Sequence, residues 1–194
     1  MRVAVVKYNA GNIQSVSYAL ERLNIDFEVT SDAEKIRSAD KVIFPGVGEA
    51  STTMEYLKNS GLDRVVKELK QPVLGICLGM QLLCSHSEEN NTECLGVFDA
   101  VVKKFEPSTR FKVPHMGWNS LADVKDWIDS DLKDKYVYFV HSYYVPVNEY
   151  TSARTDYAEP FSAAMRKNNF FAVQFHPEKS AEAGEHILNS FLKL

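Results

Sequence analysis

Cys77 lies in the run Gly75-Ile-Cys77-Leu-Gly79, a spacing that marks a nucleophile. Val73 to Ile76 read as a buried strand with a helix after it, so the run forms the Gly-x-nucleophile-x-Gly elbow with cysteine in place of serine. The glycines allow a tight, strained turn that lifts the side chain above the strand's carboxyl end. There the following helix favours a thiolate, and the N–H of Leu78 points toward an oxyanion forming on an attacked carbonyl. A cysteine between glycines can also be packing alone, and Cys84 and Cys94, which lack this setting, read that way. The three cysteines are spaced by seven and ten residues, without a Cys-x-x-Cys pair. Neither a structural zinc site, a redox dithiol nor a disulfide framework is expected, and the chain reads as one from a reducing compartment.

A thiol nucleophile needs a base. His176 stands in Phe170-Phe-Ala-Val-Gln-Phe-His-Pro-Glu-Lys-Ser180, at the end of another buried-strand pattern. In an extended segment Glu178, two residues on, projects from the same face, and Pro177 stiffens the link. Glu178 then orients the imidazole while His176 carries the thiol proton, giving an expected triad of Cys77, His176 and Glu178. His-x-Glu also occurs in zinc deaminases, but their Pro-Cys-x-x-Cys partner is missing, so no metal is expected. His86 is nine residues past Cys77 on the same predicted helix, about 13 Å along its axis at roughly 1.5 Å per residue, too far to be the base. His186 reads as surface or packing. His115 and His141 fall in turn-like segments, and either could line a site. Phe44-Pro-Gly-Val-Gly48 ends another strand, either as a connector or as a second cleft wall at the strands' carboxyl ends. It lacks the length and the lysine of a phosphate-binding loop.

The elements that must position these groups alternate in the first 85 residues. Val3 to Val6, Phe27 to Thr30, Lys41 to Phe44 and Val73 to Ile76 read as strands. Ile13, Val16, Leu20 and Leu23 form a helical stripe that Asn12 could cap, and Leu57, Leu62, Val65, Val66 and Leu69 form another. Alternation of this kind predicts a mostly parallel sheet with helices on both faces. Residues 95 to 175 change character, with β-rich runs at Val97 to Phe105, Tyr136 to Val140, Ser162 to Met165 and Phe170 to Phe175, which predict an antiparallel annex. Ser180 could cap a last helix carrying Ile187, Leu188, Phe191 and Leu192. One α/β domain over residues 1–194 is expected.

Composition fits that reading. The 194 residues are 45% hydrophobic and 25% charged with a net charge of −4, which points away from a disordered chain and from a nucleic-acid or anionic-membrane partner. No apolar run is long enough to span a bilayer, and the apolar start, broken at Lys7, reads as a strand rather than a signal peptide.

With these motifs in place the sequence resembles the class I (triad) glutamine amidotransferases. Gly75-Ile-Cys-Leu-Gly-Met-Gln81 and His176-Pro-Glu-Lys-Ser180 are shared by that class. Tyr8-Asn-Ala-Gly-Asn-Ile-Gln-Ser-Val16, Pro45-Gly-Val-Gly48, Pro114-His-Met-Gly-Trp-Asn119 and Tyr138-Phe-Val-His-Ser-Tyr-Tyr144 are similar to the glutaminase subunits of histidine biosynthesis. The resemblance implies a flavodoxin-like sheet and a cytoplasmic enzyme without cofactor. Cys77 would form a glutamyl thioester with L-glutamine, releasing ammonia. It implies oxyanion donors at Val47 and Leu78, and glutamine binding by Gly46, Gly48, Gln81, Glu89, Ser142 and Tyr143. It further implies a heterodimer with a (β/α)₈-barrel cyclase, met through Trp118, Tyr138 and Lys179, whose joint reaction is that of a lyase. Lys7, Asn9 and Ala10 depart from the usual pattern. The alternatives are a related glutaminase subunit serving a surface-sugar or pyridoxal phosphate synthase, or a non-catalytic binding module on the same sheet.

Overall fold

Val3–Val6 is buried on both sides and forms strand β1 in the computed structural model, which describes residues 1–9 and 13–194. Ala10, Gly11 and the expected cap Asn12 lie outside the described residues. Helix α1 (Ile13–Arg22) buries Val16, Ala19 and Leu20, and β2 (Phe27–Thr30) follows. A short helix that the apolar pattern does not announce, α2 (Ala33–Ser38), buries Ile36 and is capped by the Asp32 carboxylate, which accepts from the N–H of Glu34 and Lys35.

Strand β3 (Lys41–Gly46) runs two residues further than expected, because Pro45 and Gly46 stay in register with Ile76 and Cys77 of β4 (Val73–Cys77). The helical stripe between them is two helices, α3 (Ala50–Ser60) and α4 (Leu62–Glu68). Gly61 at φ 74° breaks the run, a left-handed conformation that glycine adopts without steric cost. Helix α5 (Leu78–Leu82) is only five residues long. His86 is therefore not on it, but in the short strand β5 (His86–Ser87).

The remainder is largely β: β6 (Thr92–Glu93), β7 (Val101–Lys104), β8 (His115–Ser120), β9 (Tyr136–His141), β10 (Tyr143–Tyr144), β11 (Thr151–Asp156), β12 (Pro160–Lys167) and β13 (Phe170–Val173). Helix α6 (Ala181–Leu192) closes the chain. His115 and His141 thus sit in paired strands rather than turns, opposite each other across β8 and β9.

The large sheet has the order β11-β12-β13-β4-β3-β1-β2. Strands β13, β4, β3, β1 and β2 are parallel, while β12 and β11 extend the sheet antiparallel, as expected. Both faces are covered, which is why the central strands are apolar throughout. Val3, Val5, Ile43 and Leu74 pack with α1 and α6, and Ala4, Val6, Val42 and Phe44 pack with α2, α3 and α4. The carboxyl ends of β3 and β4 lie side by side. That edge carries the site.

Candidate active site

Cys77 ends β4 at φ 53° and ψ −110°, where a residue with a Cβ is strained. The elbow holds because its glycines let other backbone in. A Cβ on Gly79 would overlap the carbonyl of Phe44, and one on Gly75 would meet the Leu83 side chain at 2.7 Å. Neither has a positive φ, so close approach rather than conformational freedom explains them. Cys84 and Cys94 are buried, unbridged thiols pushed up by that burial, Cys94 to about 12, which keeps them protonated.

His176 and Glu178 meet as expected, with Nδ1 of the imidazole 2.8 Å from Oε1 of the carboxylate and both side chains 1% exposed. The route differs from the extended segment expected, since Pro177–Lys179 is a 3₁₀ turn that folds the carboxylate back onto the ring. Ser180 holds this turn rather than capping α6. Its hydroxyl donates to the carbonyl of His176 at 2.6 Å and accepts from the N–H of Tyr138 at 2.9 Å. Burial lowers the His176 pKa, but the Cys77 sulfur and Glu178 outweigh it and raise the ring to about 10. Both contacts favour the protonated ring, whose Nε2 is buried.

Cys77, Leu78 and His176 line a cavity of about 320 Å³. Val47, Gly48, Gln81, Glu89, Ser142 and Tyr143 belong to its wall. Gly46 is buried behind the wall, beside Tyr8, whose hydroxyl donates to the carbonyl of Pro45. Glu89 accepts from the N–H of Ala50 at 2.8 Å, which fixes its carboxylate at the start of α3.

His141, one of the two histidines read as able to line a site, also lines the cavity, as do Pro114 and Val140, which the sequence had not singled out. His141 Nδ1 lies 2.7 Å from the carbonyl of Tyr143, which can only accept, so Nδ1 carries the proton. Nε2 of His141 then accepts from His115 Nδ1 at 2.9 Å, leaving both rings neutral. Burial agrees, lowering His115 to about 4 and His141 to about 3. Gln174 was missed as well. It is fully buried and its amide lies 3.7 Å from the Cys77 sulfur. The available signal was one polar residue within Phe170–Phe175, an otherwise apolar run.

Trp118, Tyr138 and Lys179 lie apart from the cavity but together. The Trp118 and Tyr138 rings are 6.0 Å apart, and Lys179 Nζ stands 6.0 Å over the Tyr138 ring. Met116 and Tyr136 extend this exposed surface along the two-stranded β8–β9 ribbon. Among the described residues no helix is long and apolar enough to cross a membrane.

Comparison with known proteins agrees with this geometry. Residues 4–194 match the family model for glutamine amidotransferase class-I. The chain is 63% identical to the imidazole glycerol phosphate synthase subunit HisH of Bacteroides fragilis, over the full length of both. It is 48% identical to the HisH subunit of Idiomarina loihiensis, covering 100% of this chain and 98% of that one. A solved glutamine amidotransferase superposes with a TM-score of 0.74 at 21% identity, over 97% of this chain and 98% of the other, which speaks to the fold alone. A full-length family match, full-length kinship and a cysteine elbow facing a histidine–carboxylate pair lead to one conclusion: the chain belongs to the class I glutamine amidotransferase family.

Proposed function

We propose that residues 1–194 act as one domain, the glutaminase subunit of an imidazole glycerol phosphate synthase in histidine biosynthesis, with Cys77, His176 and Glu178 as its catalytic triad. The observation that carries the reading is the strained Cys77 on the same cavity as the His176 ring, whose Nδ1 is held by Glu178. The thiolate attacks the side-chain amide carbon of L-glutamine, and the N–H groups of Leu78 and Val47 receive the oxyanion. His176 protonates the departing nitrogen from Nε2, and ammonia leaves a glutamyl thioester. Neutral His176 then takes a proton from water, which attacks the thioester and releases glutamate and the thiolate. Glu178 holds the ring through both half-reactions.

Gln81, Glu89, Gly46, Gly48, Ser142 and Tyr143 surround the amino-acid end of the substrate. Five of them line the cavity, and Gly46 pairs with Cys77 beside it, which supports this. Trp118, Tyr138 and Lys179 face a (β/α)₈-barrel cyclase in a cytoplasmic heterodimer, and that partner's ring closure gives the complex its lyase activity. The exposed aromatic ribbon and the names of the full-length relatives support this pairing. The test is glutamate release by the wild-type chain and by Cys77→Ala, each with the cyclase and its nucleotide ligand. Turnover is expected only with the wild type. Turnover by both would overturn the assignment of Cys77.

A further inference from the structure

We infer that Gln174 is a positioning residue that couples the nucleophile to the glutamine-binding wall, an inference that rests on the reading of the cavity as a glutamine site. Its side chain lies between the two. The Gln81 amide nitrogen donates to the carbonyl of Tyr143 at 3.0 Å and to Gln174 Oε1 at 3.0 Å. The Tyr143 carbonyl can only accept, so the orientation of the Gln81 amide is fixed: its nitrogen faces inward. With both hydrogens committed, its oxygen is the atom left for a ligand, and it can only accept. The same logic passes to Gln174. Its oxygen is held by Gln81, so its nitrogen must face the other way, where the Cys77 sulfur lies 3.7 Å off.

One buried amide therefore does two jobs. It gives the sulfur a hydrogen-bond donor, which favours the charged form, and it locks the Gln81 oxygen toward the substrate. Gln174 sits just beyond β13 with its backbone N–H bonded to Ala163 at 2.9 Å, so the donor is anchored in the large sheet rather than on a loop.

The experiment uses the full chain and reads two quantities that need no turnover. Iodoacetamide alkylation of Cys77 across pH gives the midpoint of thiolate formation, and protection by L-glutamine gives the half-protecting concentration. Gln174→Glu keeps an acceptor for Gln81 but loses the donor at sulfur. Its alkylation midpoint is expected to rise by about one pH unit, with half-protection within about threefold of wild type. Gln174→Met loses both contacts, so the midpoint rises and the half-protecting concentration increases about tenfold. Gln81→Met has no contact with the sulfur to lose. Yet freeing the Gln174 amide is expected to raise the midpoint there too, in a variant that leaves the buried Gln174 in place. Unchanged midpoints in all three variants would overturn the sulfur contact, and equal loss of protection in Gln174→Glu and Gln174→Met would overturn the orientation argument. Absence of glutamine protection in the wild-type chain would overturn the glutamine reading and the Gln81 link, while the midpoints still decide the sulfur contact.

Discussion

Cys77 holds its conformation against a steric penalty of about 1–3 kcal/mol, typical for a non-glycine residue at such angles. Cys77→Gly removes that penalty and gives up some unfolded-state restriction. It is expected to stabilise the chain by about 1 kcal/mol in urea denaturation while abolishing glutamine hydrolysis. A destabilised Cys77→Gly would show that the elbow is not strained. Cys77→Ala is equally inactive, but ammonia-dependent synthesis by the complex survives, because free ammonia bypasses the thioester. His176→Ala loses proton transfer in both half-reactions and is expected to lower kcat by about 10³ or more. Glu178→Gln loses only orientation and is expected to be at least about tenfold milder; equal losses would mean the proton carrier has been misassigned. The neutral pair His115–His141 makes a separate, pH-dependent prediction. Both rings titrate below their ordinary value of 6.5 when folded, chiefly through burial. Below about pH 6.5 the unfolded chain takes up protons that the folded pair refuses, so stability present above that pH is lost down toward the folded values. His115→Phe removes one such group and flattens the acid limb by up to about 1.4 kcal/mol per pH unit. Urea midpoints between about pH 7 and pH 5 check this, and identical slopes in both proteins would contradict it.

The elbow depends on how close α5 comes to β3. Gly79 allows that approach, since any Cβ there overlaps the Phe44 carbonyl, a backbone atom of a central strand that cannot swing aside. Gly79→Ala is expected to cost about 1–3 kcal/mol and to lower kcat by tilting α5 and the Leu78 N–H away from the cavity. Gly61→Ala costs about 1 kcal/mol through its positive φ, with open space around the new methyl group, and leaves kcat unchanged. Measuring both stability and kcat for the two variants separates packing at the site from strain at a helix break. If Gly79→Ala kept wild-type kcat, the approach of α5 to β3 would be structural only.

Beyond the single chain, the β8–β9 ribbon presents opposite faces to two environments. Val137, Phe139 and His141 turn inward against the core, while Tyr136 and Tyr138 turn outward beside Met116 and Trp118. The carboxyl end of β9 reaches the cavity from both faces, through Val140 on the side of Tyr136 and Tyr138 and through His141 on the other. Gly46 and Gly48 flank Val47, which lets the peptide of this proposed second oxyanion donor reorient at small cost. The chain alone is therefore expected to be a poor glutaminase, with kcat rising by about 10² or more when the proposed cyclase partner holds its nucleotide ligand. Glutamine kcat measured for the chain, for the complex and for the liganded complex decides it. Equal values would eliminate such gating.

The linear order of residues specified much of this protein. Alternating apolar runs and helical stripes were enough for the parallel sheet, because strands buried on both faces leave an uninterrupted apolar signature that few other arrangements share. The elbow and the His-Pro-Glu segment were legible because short-range turns and one strand end set their geometry. Other features depend on contacts between residues far apart in the chain. Gly61 splits a continuous stripe through its backbone angle, and α2 rests on one apolar residue and a cap. The Glu178 carboxylate reaches His176 through a 3₁₀ turn that the Ser180 hydroxyl and the Tyr138 N–H hold from β9. His115, His141 and Gln174 looked like turn or strand residues until folding set β8 against β9 and β13 against β4, across separations of 26 and 97 residues. A hydrogen bond across such distances leaves no period in the sequence, since its partners share neither a helix nor a strand, and packing alone determines that they meet.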